Sequence, residues 1–187
     1  MTGAEVEQLR DDIVERLPNL RAFARSIAGD PSKADDLVQD TIVKALANLH
    51  SFEFGTNLTA WLFTILRNHY YSEVRRMWRE VEDADGVHAA RLVSRPRQLD
   101  QVELNDFQAA LARLPVEQRE ALILVGASGF AYEDAARICG CAVGTIKSRV
   151  NRARVRLTEM LDPDGSGRPE IGPENFRAAG TGTRSVV

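Results

Sequence analysis

The sequence predicts an all-α protein in which two small helical domains are joined by a flexible linker. Apolar residues recur at intervals of three and four over residues 5–49, 58–80 and 102–125, which is the spacing of one buried helix face. Residues 81–100 lose that spacing, have an acidic first half and include Gly86, Ser94 and Pro96, which are poor helix or strand formers, as is typical of a linker. Residues 131–161 form two helical patterns around a tight corner, which is typical of a helix-turn-helix.

The composition limits the possible functions. A chain of 187 residues with 44% hydrophobic residues can form one domain or two small ones. The formal net charge is −3, so any nucleic-acid binding must come from a local basic patch. The sequence contains no apolar run of about 18 residues, which a membrane span needs, and its N-terminus lacks a signal-peptide pattern. Cys139 and Cys141 are too close in sequence to favour a disulfide and lack zinc spacing, so we expect a reduced, cytoplasmic setting with no metal and no cofactor.

The first segments are predicted to be three helices. Pro18 suits the first turn of a new helix, so a break is expected near Leu17. Asp30 followed by Pro31 indicates the start of the next helix, which should run to about Leu49. The residues expected to face inward are Leu9, Ile13, Leu17, Leu20, Phe23 and Ile27, then Leu37, Val38, Thr41, Ile42, Ala45, Leu46 and Leu49.

An acidic face lies on this third helix, because Asp36, Gln39 and Asp40 are three and four residues apart. It is either an ordinary solvated face or a docking surface for a basic partner.

Asn57 can cap a long helix from Leu58 to about Glu80, after the loop at residues 51–56. Its later part combines arginines with aromatic side chains, a mixture that suits single-stranded DNA, although each aromatic could equally pack in the core. The residues expected to face inward are Trp61, Leu62, Ile65 and Leu66, and His69 continues the same face. The arginines are Arg67, Arg75, Arg76 and Arg79, and the residues interleaved with them are Asn68, Tyr70, Tyr71 and Trp78.

The second domain is predicted to hold helices over residues 102–114 and 115–125, followed by the helix-turn-helix. Its helices should span Tyr132–Cys139 and Val143–Leu161, with Gly140 at the corner. The second helix has an inward face of Ile146, Val150, Ala153, Leu157 and Leu161, and a basic face of Lys147, Arg149, Arg152, Arg154 and Arg156.

Both helices of this motif lack a good N-cap, because Ala131 and Ala142 occupy the capping positions. The N–H groups of residues 143–145 are therefore expected to remain free to bind a phosphate. After Leu161 the chain is rich in Gly and Pro, and we expect a disordered tail.

Several separate motifs resemble those of extracytoplasmic-function (group IV) RNA polymerase sigma factors. They are DDLVQDTIVKAL, TAWLFTILRN, LPVEQREALILV and AVGTIKSRVNRAR. The phrase REVEDADG and the stretch from REALILV to NRAR are most similar to the general-stress-response type of alphaproteobacteria. The resemblance implies a sigma-2 domain at residues 10–80, a linker at 81–101, a sigma-4 domain at 102–161 and a tail at 162–187.

The resemblance also implies partners and contact residues. The β′ clamp helices of core RNA polymerase would be contacted by Asp36, Gln39 and Asp40. The −10 promoter element, with one base flipped out, would be held by Phe52, Asn57, Ile65, Arg67, Asn68, Arg75 and Arg76. The −35 element would be read in the major groove by Lys147, Ser148, Asn151 and Arg152, with phosphate contacts from Thr145, Arg149, Arg154 and Arg156. A Ser cap is usual in the family where this chain has Ala131 and Ala142, so a cap–phosphate contact is not expected there.

By the same resemblance, a small soluble anti-sigma factor is expected as a regulator, while a small-molecule substrate and a membrane are not. Two alternatives remain from the residues themselves. One is a stand-alone helix-turn-helix regulator, which would not need the acidic face, and the other is a sigma-like decoy, which would not need the basic face. An enzyme is not predicted, because the three histidines lie apart and no nucleophile motif or phosphate-binding Gly loop is present.

Overall fold

The computed structural model describes residues 3–82 and 102–162. Over these residues it contains eight α-helices and no strand, which confirms the predicted all-α class. The helices form two compact units, one on each side of the gap, and each unit has its own core. A flexible linker was expected over residues 81–101, but residues 81 and 82 are the last two of the helix Leu58–Glu82, so the linker begins later than predicted. Residues 83–101, and residues 163–187 of the disordered tail expected over 162–187, lie outside the described residues.

The N-terminal unit begins with α1 (Gly3–Glu15) and α2 (Leu17–Ala28). Arg16 forms a turn between them. Pro18 lies in the first turn of α2, where its missing N–H costs no helical hydrogen bond. The break predicted near Leu17 is therefore confirmed.

Side chains cap the next two long helices, as the sequence predicts. Helix α3 (Pro31–Ala47) begins where the Asp30 carboxylate accepts a hydrogen bond from the backbone N–H of Lys33 at 2.9 Å. Helix α4 (Leu58–Glu82) begins where the Asn57 side-chain oxygen accepts one from Ala60 N–H at 3.1 Å. A short 3₁₀ helix, Leu49–Ser51, lies between α3 and α4.

The core of the N-terminal unit lies where α2 meets α3 and α4. Phe23 and Phe63 stack there with ring centroids 4.6 Å apart, and both are fully buried. Phe63 is not among the residues predicted to face inward, whereas Trp61 and Ile65, which are, are only half-buried. The buried stripe of α4 is thus rotated by about one residue from the predicted one.

The predicted buried side of α3 is largely correct but too wide. Thr41 and Ala45 are fully buried, yet Leu46 is 41% exposed, so its prediction was wrong. Leu46 is one residue, or about 100°, around the helix from Ala45, which takes its side chain out of the interface.

The C-terminal unit contains α5 (Val102–Arg113), α6 (Val116–Leu122), α7 (Tyr132–Cys139) and α8 (Val143–Leu161). Between α6 and α7 the helix continues as a π-helical turn, Ile123–Ala127, in place of the regular helix predicted through Val125. Ser128 N–H donates to the carbonyl of Ile123 at 2.8 Å, an i to i−5 bond that identifies this wider turn.

Helix α8 is the centre of the C-terminal unit, since α5, α6 and α7 all pack against it. Its buried face consists of Ile146, Val150, Ala153 and Leu157, as predicted. Leu161, the last residue of the predicted face, is only half-buried because the helix ends there. The contacts with these three helices hold α8 in place and leave the face opposite its buried residues outward.

Candidate functional site

The corner between α7 and α8 is built by backbone hydrogen bonds. Gly140 has the left-handed backbone conformation (φ 62°, ψ 40°), which a residue without Cβ adopts at little cost. Its N–H donates to the carbonyl of Arg137 at 3.2 Å, and the N–H of Cys141 donates to that of Ala136 at 3.1 Å. These two bonds form a complete Schellman motif, which ends α7 and turns the chain toward α8.

The N-terminus of α8 has no side-chain cap, as predicted, and Ala142 occupies the capping position in an extended conformation. The prediction that three N–H groups remain free was wrong for Thr145, whose N–H donates to the carbonyl of Ala142 at 2.9 Å. The N–H groups of Val143 and Gly144 have no partner in the described part of the chain.

The outward face of α8 carries four polar side chains opposite its buried face. Lys147, Asn151 and Arg152 are exposed, and Ser148 is half-exposed with its hydroxyl donating to the carbonyl of Thr145 at 2.9 Å. The Lys147 ammonium lies 5.8 Å from the centroid of the Tyr132 ring of α7, within the range of a cation–π contact. We call the surface of Lys147, Ser148, Asn151 and Arg152 the α8 face.

Two of the other basic residues of α8 have side-chain contacts among the described residues. Arg149 Nη1 lies 3.9 Å from Cys141 Sγ, and Arg156 Nη1 donates to Gln118 Oε1 on α6 at 3.3 Å. Arg154 is half-buried, and its Nε is buried without a hydrogen-bond partner in the described residues. Arg152, by contrast, is exposed and held by none of the described residues, so it is the arginine most available to a ligand.

In the N-terminal unit an aromatic cluster joins the loop before α4 to the helix itself. The Phe52 ring lies 5.8 Å from that of Phe54 and 5.4 Å from that of Trp61, measured between centroids. Phe52, the predicted base contact, is only 7% exposed, whereas Phe54 is 48% exposed. Sequence reasoning missed Phe54, although its position two residues after Phe52 in a short loop was a signal that one ring of the pair faces outward.

Predicted DNA-contacting residues of α4 continue from this cluster along the helix. Ile65 and Asn68 follow Trp61 of the cluster at intervals of four and three, so the three residues share a face, and Asn68 is exposed. The Arg67 guanidinium lies 4.5 Å from the centroid of the Tyr71 ring. The remaining predicted residues are Asn57, whose side-chain oxygen caps α4; Arg75, which is exposed; and Arg76, whose guanidinium pairs with Glu73 at 2.8 Å.

The predicted acidic face of α3 is outward, since Asp36, Gln39 and Asp40 are all exposed. Asp40 Oδ2 lies 2.9 Å from Nε2 of His69 on α4. One turn further along α3, Val43 is 65% exposed, which places an apolar side chain beside the acids. Sequence reasoning missed this apolar extension, because the helical spacing of apolar residues alone does not distinguish an exposed Val from a buried one.

Two further properties of the described residues bear on the kind of site. None of the described helices is long and apolar enough to cross a membrane. Within residues 3–82 and 102–162, no group of three or more His, Cys, Asp or Glu side chains is placed to hold a metal ion.

Comparisons with known proteins agree across both units. Residues 13–80 match the family model of Sigma-70 region 2, and residues 104–157 match that of Sigma-70, region 4. The chain is 60% identical over 169 residues to the ECF RNA polymerase sigma factor EcfG of Rhodopseudomonas palustris (strain TIE-1), covering 90% of this chain and 92% of that protein. It is 35% identical over 136 residues to the ECF RNA polymerase sigma factor SigC of Mycobacterium tuberculosis, covering 72% and 74%.

Among solved structures, the chain is similar to the sigma factor RpoE from Bartonella quintana, determined in complex with the anti-sigma factor NepR. The TM-score is 0.75 at 56% identity, and the match covers 84% of this chain and 99% of that one.

Proposed function

This chain belongs to the extracytoplasmic-function (ECF) family of RNA polymerase sigma factors, and from that premise we propose which of its surfaces binds each partner in promoter recognition. The acidic face of α3 binds core RNA polymerase, and the α8 face reads the −35 element. The −10 element is bound by the aromatic cluster together with the α4 surface, by which we mean Ile65, Arg67, Asn68, Arg75 and Arg76. We place the sigma-2 domain at residues 10–80 and the sigma-4 domain at 102–161. The observation that carries this proposal is the α8 face, where the polar side chains that we propose to read bases point outward from a helix packed against three others.

At the −35 element, α8 lies in the major groove of the duplex. Arg152 and Lys147 have the donors that pair with guanine, and Asn151 can donate to and accept from adenine. Phosphate contacts come from Thr145, Arg149, Arg154 and Arg156. Arg156 is held by Gln118, which supports a role in positioning the helix rather than in base readout, because phosphate contacts carry no direct sequence information.

At the −10 element, one base flips out of the stack and lies against the α4 surface. Flipping costs a few kcal/mol, which stacking and hydrogen bonds to the base edge offset. We propose that the edge of the flipped base is contacted, and the wall of its pocket formed, by Asn68, Ile65 and the side-chain amide of Asn57. The phosphate backbone of the strand is contacted by Arg67, Arg75 and Arg76. Phe54 is the exposed outer ring of the cluster that contains Phe52, so we add it as the stacking surface.

We also propose regulation by a small soluble anti-sigma factor and a role in the general stress response. The support is the 60% identity to EcfG and the 56% identity to RpoE, a sigma factor whose structure was determined with its anti-sigma factor NepR. We place the protein in the cytoplasm, where polymerase works. We do not assign it an enzymatic reaction, because binding energy alone can drive promoter melting.

The experiment that tests the proposal is run-off transcription with purified core polymerase on a small promoter panel. We expect initiation at one promoter class and none by core polymerase alone. A gel shift of the chain without polymerase distinguishes a sigma factor from a stand-alone helix-turn-helix regulator, because tight specific duplex binding by the isolated chain would favour the regulator. A sigma-like decoy would fail to start transcription at any promoter.

Arg152→Ala is expected to lose about 1–3 kcal/mol of discrimination at one −35 base pair, or roughly 5- to 150-fold in relative initiation. The reason is that Arg152 is exposed on the α8 face and held by none of the described residues. The measurement is run-off transcription on promoters carrying each single substitution across the −35 element.

The matched control for this prediction is Arg156→Ala, one turn further along α8. It should weaken initiation about equally on every promoter of the panel, because its contact is to phosphate. If Arg152→Ala leaves the order of preferred promoters unchanged, Arg152 does not read a base.

Phe54→Ala is expected to weaken binding of a single-stranded −10 oligonucleotide by the holoenzyme by about 1–3 kcal/mol, because stacking of a base on an aromatic ring is lost. Fluorescence anisotropy of a labelled oligonucleotide measures this, and Phe54→Tyr serves as the control that keeps a ring. Equal affinities for the alanine and tyrosine variants would remove Phe54 from the base pocket.

A further inference from the structure

Three side chains form a hydrogen-bonded chain between α3 and α4. Asp40 and Lys44 are one turn apart on α3, and His69 of α4 inserts its ring between them. His69 Nε2 lies 2.9 Å from Asp40 Oδ2, and His69 Nδ1 lies 2.5 Å from Lys44 Nζ. The His69 side chain is 10% exposed, whereas that of Asp40 is 60% exposed.

The direction of the hydrogen bonds follows from the chemistry of the two ends. A lysine ammonium can only donate, so Nδ1 of His69 must accept. The neutral imidazole then carries its proton on Nε2, which donates to the Asp40 carboxylate. An imidazolium would instead point an N–H at the ammonium, so the arrangement selects one neutral tautomer in one ring orientation.

Without the imidazole between them, Asp40 and Lys44 would be free to pair directly. An acid and a lysine four residues apart on a helix are neighbours and attract one another. Such a pair would offset the negative charge on the acidic face of α3. In the structure the ring occupies the space between them, Oδ2 is held by His69, and Oδ1 accepts no hydrogen bond from any described residue.

We propose that His69 is a positioning residue for the binding of core RNA polymerase. It fixes the Asp40 carboxylate with one oxygen outward and keeps Lys44 from pairing with it. This inference rests on the proposed role of Asp40 in that interface, and it gives α4 a part in shaping the α3 surface as well as the DNA surface.

The test compares three variants of the full chain. His69→Gln can donate to Asp40 and accept from Lys44 through one amide, His69→Phe keeps a flat ring but does neither, and His69→Asn carries the same amide on a side chain too short to reach both. Affinity for core polymerase is measured by fluorescence anisotropy of the labelled protein, and thermal unfolding by circular dichroism checks that each variant is folded.

We expect His69→Phe and His69→Asn to weaken core binding about tenfold, the scale of a hydrogen bond to a charged group, and His69→Gln to stay within about threefold of the parent. If the phenylalanine variant does not fold, the comparison of asparagine with glutamine still decides. Parental affinity in both the phenylalanine and asparagine variants would overturn the proposal, as would a glutamine variant as weak as the asparagine one.

A double-mutant cycle with Asp40→Ala separates this proposal from the one it rests on. If His69 acts through Asp40, His69→Phe should have no further effect in the Asp40→Ala background. Additive effects would show that the positioning role is wrong while the polymerase surface stands. If Asp40→Ala alone leaves the affinity for core polymerase unchanged, the assignment of Asp40 to the polymerase interface is wrong, and the positioning role of His69 is then wrong as well.

Discussion

Asp40→Lys should reduce the affinity of the full chain for core RNA polymerase by roughly 30-fold or more. The acidic face of α3 is proposed to meet a basic surface, and placing like charges opposite one another costs several kcal/mol, of which about 2 kcal/mol already gives this factor. The substitution also removes the acceptor for His69 Nε2. Titration of labelled protein with core polymerase measures the change, and the remaining binding of the variant should depend less on salt than that of the parent.

The control for this charge reversal is Glu7→Lys, which makes the same change in net charge on α1 at an exposed residue. Its affinity should stay within about twofold of the parent, since a single rim or distant charge contributes little. Equal losses in the two variants would mean that net charge, rather than the α3 face, governs association. No loss in Asp40→Lys would remove Asp40 from the interface.

Phe63→Ala should destabilise the N-terminal unit by about 3–5 kcal/mol, the usual cost of truncating a buried phenylalanine. Phe63 is fully buried and stacks on Phe23, so the substitution leaves a cavity at the meeting point of α2 and α4. That loss is a large part of the roughly 5–15 kcal/mol that stabilises a typical domain. Urea unfolding followed by tryptophan fluorescence measures it selectively, because both tryptophans of the chain, Trp61 and Trp78, lie in α4.

The matched control is Phe54→Ala, the same substitution at a ring that is 48% exposed. Its expected cost is below about 1 kcal/mol, since little of the ring is removed from water on folding. Similar losses for the two phenylalanines would contradict the placement of Phe63 in the core.

The sequence was sufficient for features that depend on a few neighbouring residues. Asp30 and Asn57 cap their helices, Pro18 follows a break, and Gly140 forms the corner, because each preference arises from local backbone geometry and hydrogen bonding. The separation into two helical units was also predictable, since apolar spacing stops and resumes.

Features set by packing between helices could not be read from the sequence. A period of 3.6 leaves the centre of a buried stripe uncertain by one residue, which is why Phe63 was missed on α4 and Leu46 was misplaced on α3. The burial of Phe52 beneath neighbouring rings and the insertion of His69 between two residues of α3 join residues distant in sequence. Only the packed arrangement of helices brings them together.

Helix α8 is both the structural centre of its unit and the element proposed to read DNA, and this restricts how promoter preference can diverge. Substitutions at Ile146, Val150 or Leu157 would disturb the core that α8 shares with its neighbouring helices, whereas Lys147, Asn151 and Arg152 are exposed and can change without altering that core. Retargeting the protein to a different promoter, in evolution or in the design of orthogonal gene circuits, should therefore proceed through a handful of outward positions on an unchanged scaffold.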